Sequence, residues 1–264
     1  LRKSENALLP LVLLAKAFSR ARVAKVLVLG LETSGQPGSV AVANKHGILS
    51  HCTYAHPNMH AEHLLNHIEM ALASAGCTKQ DLGRIAVGTG PGNFTGLRVG
   101  IALASGIGLG LRIDVVGVCS LASLASSIPA PGSDVRFVVR DARRDEAFCG
   151  IFDIEGDILT PPTLVGTSQL YDWLAARMQL YASEGRRTAI AGDGLQWLSS
   201  QQKNSLGAYI PADAELLTPD ARQTALIGLR QRTLPAVVAD YVRDADAKLP
   251  NIPRNAVLDG LARS

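Results

Sequence analysis

Two carboxylates, Glu32 and Asp141, each stand just past an apolar run, and a glycine-dense stretch lies between them in the chain: Gly90-Pro91-Gly92-Asn93-Phe94-Thr95-Gly96-Leu97-Arg98. The stretch follows a strand-like run, Arg84 to Gly88, and precedes a Gly/Ala-rich helical pattern that ends near Leu111. Strand, glycine turn and helix start together aim backbone N–H groups at an anion or at a closely packed neighbour. It is not a Walker loop, since no Lys-Ser/Thr pair follows the last glycine, and its spacing is not that of a dinucleotide fingerprint. Two carboxylates facing across a cleft suit a phosphate–metal site, with Glu32 holding a metal through water and Asp141 acting as a base. Glu32, Thr33, Ser34 and Asp141 are therefore the candidate cofactor-binding set. The competing reading makes both carboxylates turn residues, with Asp141 paired to Arg143 or Arg144.

Histidines 56, 60, 63 and 67 cluster at one helical pattern. His63 and His67 have a zinc-chelating spacing, but no third ligand stands at a telling distance, so a polar stripe is the better expectation and no metal site is assigned. His60, at the helix start, suits a specific interface hydrogen bond. No Ser/His/Asp arrangement is credible, because Ser34 and Ser39 lack an elbow context, and Cys119 lacks an identifiable His partner. Cys52, Cys77, Cys119 and Cys149 form no C-x-x-C pair and read as reduced, mostly buried thiols of a cytosolic protein.

The elements that must position these residues follow from periodicity. Lys25–Leu31 reads as a buried strand, Ser39–Ala43 as its hairpin partner and Ile48–Tyr54 as a third strand. Asn58 opens a helix with Leu64, Leu65, Ile68, Ala71, Leu72 and Ala75 on one face, ended by Gly76 as a left-handed cap. Thr78 and Asp81 suggest a capping box. In the glycine helix Gly96, Gly100, Ala104 and Gly108 repeat every four residues, and Ala102, Gly106 and Gly110 repeat beside them. Interior glycines cost about 1 kcal/mol each relative to alanine, so they need a close neighbour. That neighbour is either a partner helix or this chain's own sheet.

Val115–Val118 is another strand, and Ser126–Asp134 is a Pro/Gly/Ser break. The opening pattern then recurs: strand Arg136–Arg140, charged turn, strand Glu146–Phe152. A helix near Ser168–Tyr181, a strand Thr188–Ala191 ending in Gly192-Asp193-Gly194, and a last helix opened by Thr218-Pro219-Asp220 complete the body. The class is α/β, built as a duplicated lobe. The expected division is an extension over 1–24, disordered or helical, a first lobe over 25–125, a second over 126–235 and a C-terminal segment over 236–264.

The 264 residues allow one large domain or two lobes, and 47% apolar content supports a sizeable core. Of the net +3, residues 1–25 hold six basic groups against Glu5 alone, so the remaining body, with 20 basic and 22 acidic groups, is close to neutral. It lacks the basic stripe of a self-sufficient nucleic-acid binder. Val99–Leu111 is shorter than a membrane span, so no membrane partner is expected. The basic start superficially suits a transit peptide.

With these residues in hand, the chain resembles the bacterial TsaB (YeaZ) family. GPGNFTGLRVGIALASGIGLGL is similar to that family's GPGSFTGLR-type signature and following helix. VLVLGLETS…SVAV resembles its opening hairpin, RDARRDEAFCGIFD its D-A-R-x-x-E-V-Y segment, and Tyr241-Val242-Arg243 its terminal Y-L-R. The resemblance runs from about Lys25 to Leu249. It implies a two-lobed, duplicated fold of the actin/Hsp70/sugar-kinase type. It also implies a non-catalytic activating or scaffold subunit, cytoplasmic, in synthesis of threonylcarbamoyladenosine (t6A) on tRNA. Implied partners are the catalytic paralogue TsaD and the ATPase TsaE, with a homodimer when alone and tRNA met through the complex. No intrinsic cofactor is implied; ATP or ADP with magnesium would belong at the complex interface. The implied interface is a bundle of the two helices above, giving His60, Leu64, Gly92, Phe94, Thr95, Gly96, Arg98, Gly100 and Ala104 as contact residues.

TsaD-type proteins carry an H-x-x-x-H metal pair; Ser120 and Leu124 stand at those places here and cannot replace imidazoles. Glu32 stands where many TsaB proteins have Asp, and Asn93 where they have Ser. The alternatives are an independent ATP-dependent phosphotransferase of the same fold, a glycoprotease-like peptidase, and a plain homodimeric interaction module.

Overall fold

The computed structural model describes residues 27–55, 61–231, 237–239 and 242, without the side chains of 61 and 62. The expectations for residues 1–24, for Asn58 and His60, and for Tyr241 and Arg243 lie outside the described residues.

The first lobe is built on β1 (Leu27–Glu32), β2 (Gly38–Asn44), β3 (Gly47–Tyr54), α1 (Ala61–Ser74), β4 (Leu82–Gly90), α2 (Phe94–Leu111) and β5 (Asp114–Cys119). Its sheet runs in the order β3-β2-β1-β4-β5. β1 and β2 pair antiparallel, β1 and β4 parallel. After α3 (Ser120–Ser127) the second lobe repeats the plan with β6 (Val135–Arg143), β7 (Glu146–Asp153), β8 (Ile158–Gly166), α4 (Thr167–Ser183) and β9 (Thr188–Ala191). Its order β8-β7-β6-β9, with one parallel pair at β6/β9, matches β3-β2-β1-β4 strand for strand. The duplication suspected from two hairpins thus extends to whole sheets, and the fold is the two-lobed actin/Hsp70/sugar-kinase type. β8 and α3 were not anticipated; two prolines in β8 and the short polar-apolar mixture of α3 hide both.

β1 is apolar without alternation because both its faces are covered. Leu29 and Leu31 pack under Leu64, Ile68, Ala71 and Leu72 of α1. Val28 joins a second core that continues through α3 into the other lobe. α5 (Ser200–Ser205) lies in the second lobe, and α6 (Ala221–Arg230) returns to cover the first sheet. At Gly30 a Cβ would stand 2.4 Å from the Ala221 carbonyl, and at Gly228 one would stand 2.3 Å from Ala86 Cβ. The helix therefore lies almost on the strands. This corrects the boundary at 235: α6 belongs to the first lobe, because its apolar face needs that sheet. Its N-cap is Asp220, which accepts the Arg222 N–H at 2.7 Å.

α3 joins the lobes. Leu121, Leu124 and Ala125 are fully enclosed. Its last carbonyls are capped by the buried Arg136, whose Nη1 donates to Ala125 O and Ile128 O. Burial lowers the Arg136 pKa from its ordinary value. The Gly76 cap (φ +66°) and the Thr78–Asp81 capping box form as expected.

Two substitutions test this assembly by urea unfolding. Gly228→Leu should lower stability by about 1–3 kcal/mol through overpacking against β4. Arg136→Met should cost about 1–3 kcal/mol by leaving helix carbonyls unpaired in the core.

Candidate functional site

The residues expected to do chemistry do converge, but not around an open cleft. Glu32, at the end of β1, is 1% exposed. Its Oε1 accepts the Ser34 N–H at 2.9 Å and the Ser120 hydroxyl at 3.2 Å. Its Oε2 lies 3.3 Å from Thr224 Oγ1 on α6. Gly88 of β4 leaves room for the carboxylate, since a Cβ there would fall 2.4 Å from Oε2. Four elements thus close on one side chain. Burial raises the Glu32 pKa above the ordinary 4.5, against hydrogen bonds from Ser34 and Ser120 and the charge of Arg140.

Arg140 reaches this junction from the second lobe. Its Nε donates to Asp193 Oδ1 at 3.1 Å, and the same oxygen accepts the Asp141 N–H at 2.8 Å. The guanidinium rests against Gly35, where a Cβ would be 3.0 Å from Nη2. Thr33 Oγ1, Ser34 Oγ and Arg140 Nη1 are buried polar atoms without a hydrogen-bond partner. Asp141 takes the turn role. Its Oδ1 accepts the Arg143 N–H at 2.8 Å, and Oδ2 lies 3.9 Å from the Arg143 guanidinium. The pair of facing, open carboxylates is thereby corrected: one is sealed in the core, and the other is spent on its own hairpin. Sequence reasoning missed Arg140, Asp193, Ser120 and Thr224. The Gly-Asp-Gly after β9 was a usable signal, for at Gly192 a Cβ would be 2.1 Å from Val139 O.

These residues do not fit a magnesium-held nucleotide. Both Glu32 oxygens already face N–H and O–H donors, which leaves neither of them open to a metal. Among the described residues no group of three His, Cys, Asp or Glu is placed to hold a metal. The His67 ring nitrogen Nδ1 lies 2.7 Å from the His63 carbonyl, and its ring centroid lies 4.6 Å from that of Tyr54 with the planes tilted by 38°. Of the cysteines only Cys149 is buried, with its thiol pushed up to about 12; the others are half-buried, a correction to the expected mostly buried set.

The glycine motif packs inward. Asn93 caps α2 by accepting the Gly96 N–H at 2.8 Å. A Cβ at Gly92 would lie 2.2 Å from Ser34 O, at Gly96 2.2 Å from Thr33 O, and at Gly100 2.4 Å from Thr33 Oγ1. Gly96, Gly100, Ala104 and Gly108 are therefore the seat of α2 on its own lobe, and Leu64 is core. As partner contacts, Leu64, Gly92, Gly96, Gly100 and Ala104 are corrected: the turn after β1 packs closely on the three glycines, and Leu64 and Ala104 are fully buried in the first-lobe core. Phe94, Thr95 and Arg98 do face outward, with the Arg98 guanidinium 3.7 Å over the Phe94 ring. The neighbouring stripe is open: nothing lies within 4 Å of a Cβ at Gly106 or Gly110. Leu109 is 83% exposed, and Met70 on α1 is 59% exposed. Among the described residues α2 is the one helix long and apolar enough to cross a membrane. Here it links the parallel strands β4 and β5 and is seated on their sheet.

The duplicated sheets, with α3 between them and a buried acid at the end of β1, define the actin/Hsp70/sugar-kinase class. The family model for the tRNA N6-adenosine threonylcarbamoyltransferase TsaD matches residues 48–205. An uncharacterized protein of Mycobacterium tuberculosis is 36% identical over 129 residues, 48% of this chain and 59% of its own length. The Escherichia coli tRNA threonylcarbamoyladenosine biosynthesis protein TsaB is 30% identical over 122 residues, 46% of this chain and 52% of its own length. The chain thus spans little more than half the length of these relatives. A solved Pseudomonas aeruginosa structure, described as an uncharacterized protein with similarity to peptidase YeaZ, superposes with a TM-score of 0.66. It is 26% identical and covers 83% of this chain and 100% of its own. The chain belongs to the TsaD family, within its TsaB (YeaZ) group.

The raised Glu32 pKa fixes a sign. The folded state holds this proton more tightly than the unfolded chain, so the contribution is full below pH 4.5 and is lost as pH rises through the folded value. Glu32→Gln keeps the shape and removes the buried charge. Its melting temperature relative to wild type should rise as pH increases above 4.5 and level off once the folded pKa is passed; a constant difference across that range would contradict the buried-acid assignment.

Proposed function

We propose that this chain serves tRNA threonylcarbamoyladenosine synthesis as a non-catalytic docking subunit for a TsaD-like catalytic paralogue. The observation that carries this reading is the outer face of α2 with its neighbour α1. Phe94, Ala102, Gly106, Leu109 and Met70 give an exposed, side-chain-poor apolar surface beside a glycine stripe already committed to the chain's own core. Such a surface lets a partner helix approach closely and bury Leu109 and Phe94. Family membership supplies the partner's chemistry, and the E. coli relative's name supplies the pathway. The sealed Glu32 and the self-bonded Asp141 favour docking over an independent phosphotransferase.

Activation requires that the chain bind one conformation of the paralogue more tightly than another. In this reading a TsaE-like ATPase joins the same assembly, tRNA is met through the complex in the cytoplasm, and the same face supports a homodimer when the paralogue is absent. Nucleotide with magnesium, if the assembly uses it, would be held with the paralogue's residues.

Gly106→Leu separates docking from folding. A Cβ there meets open space, and replacing a helical glycine should leave stability unchanged or raise it by about 0.5–1 kcal/mol. Association with the TsaD-like protein, measured by sedimentation, should weaken at least about tenfold, since interface centres tolerate added bulk poorly. tRNA modification by the purified assembly should fall with it. Full association and full stimulation by Gly106→Leu and by Leu109→Asp would overturn the proposal.

A further inference from the structure

The second lobe carries a cavity of about 760 Å³ that neither the inter-lobe junction nor the α1–α2 face uses. Its floor is one stripe of α4, Tyr171, Ala175, Met178 and Ala182, and its walls are the 131–133 loop, the 185–188 approach to β9, and the turn 205–209. Tyr209 is fixed beside β9 by main-chain bonds, its N–H donating to Thr188 O at 2.9 Å and its carbonyl accepting the Ile190 N–H at 3.0 Å. Tyr209 as a whole is 49% exposed at the rim. The Tyr171 hydroxyl is held 2.9 Å from Ser205 Oγ.

The only charged residues in the lining are Arg186 and Arg187. Among the described residues neither guanidinium has a carboxylate within ion-pair distance. Arg186 lies 5.0 Å over the Tyr181 ring, and Asp134 Oδ2 is engaged by the Arg187 backbone N–H at 3.0 Å. The Arg187 guanidinium packs against Gly132, where a Cβ would fall 2.8 Å from Nη2.

Two arginines without carboxylate partners at one wall recognise a phosphate by paired N–H donors. Tyrosine faces beside an apolar floor accept a planar ring, and the Gln179 amide offers a donor and an acceptor to its edge. The volume lies in the range of small-ligand sites. We propose that this cavity binds a nucleoside monophosphate unit, its phosphate on Arg186 and Arg187 and its base against Tyr171 or Tyr209. The unit has two possible sources, a free nucleotide or an unpaired residue of an RNA strand.

Titration calorimetry of the whole chain with AMP, adenosine, ribose 5-phosphate and a short oligoadenylate tests this. AMP should bind at least about tenfold tighter than adenosine or ribose 5-phosphate, since charge-assisted bonds and stacking each contribute that much. Arg187→Gln and Tyr209→Ala should each weaken AMP about tenfold or more, while Arg140→Gln at the inter-lobe junction should leave it unchanged. Tighter binding of the oligoadenylate identifies an RNA strand as the source, and equal or weaker binding identifies the free nucleotide. No AMP binding at millimolar concentration overturns the proposal, as does binding that Arg140→Gln abolishes while both cavity variants retain it. The docking role does not depend on this cavity, so either can fail alone.

Discussion

The enclosed carboxylate of Glu32 is the constraint on which the rest depends. Taking an acid out of water is costly unless every oxygen finds a donor. Here the donors come from different parts of the chain: the backbone of Ser34, the hydroxyl of Ser120 at the start of α3, and the hydroxyl of Thr224 on α6. A single side chain therefore demands that the β1 turn, the inter-lobe helix and the returning C-terminal helix all be in place. Ser123 extends the same network, donating to the Asp220 carbonyl at 2.8 Å and accepting the Asp220 N–H at 3.0 Å. The turn after β1, where the sequence suggested a ligand, is closed over Glu32 by the hydroxyls of Ser120 and Thr224 and flanked at Gly35 by Arg140.

That closure explains why the glycine motif has a structural role. A turn with three residues enclosed, Glu32, Thr33 and Ser34, needs a neighbour without side chains. Gly92, Gly96 and Gly100 provide it by receiving the Ser34 and Thr33 carbonyls and the Thr33 hydroxyl. Once those positions are committed inward, helical geometry turns Phe94, Ala102, Gly106 and Leu109 outward. The surface offered for docking is thus the geometric complement of the seat that holds α2 on its lobe. A change in one face of this helix acts on stability, and a change in the other acts on association.

Much of the fold was legible. β1, β2, α1, α2 and the Gly76 cap stand where apolar periodicity and turn chemistry put them, since those signals are local. The second lobe was legible as a repeat because its hairpin has the same strand–turn–strand pattern with a carboxylate after the first strand. β8 escaped because Pro161 and Pro162 read as loop, and α3 because its eight residues, SLASLASS, are too few to show a period. At the junction Glu32 was visible, but Arg140, Asp193, Ser120 and Thr224 were not. Their partners are between 52 and 192 residues away in the chain, a distance that no local pattern spans.

The sequence by itself determined the α/β alternation, the duplication, the glycine helix and the family likeness, because each is written in short-range spacing or in a contiguous motif. Only the tertiary structure decided which of two adjacent small-residue stripes faces inward, that Glu32 is sealed instead of open, and that the last helix returns to the first lobe. These depend on which surfaces meet across long chain separations. Glycine and carboxylate side chains look the same in sequence whether they meet solvent, a partner or the chain's own backbone.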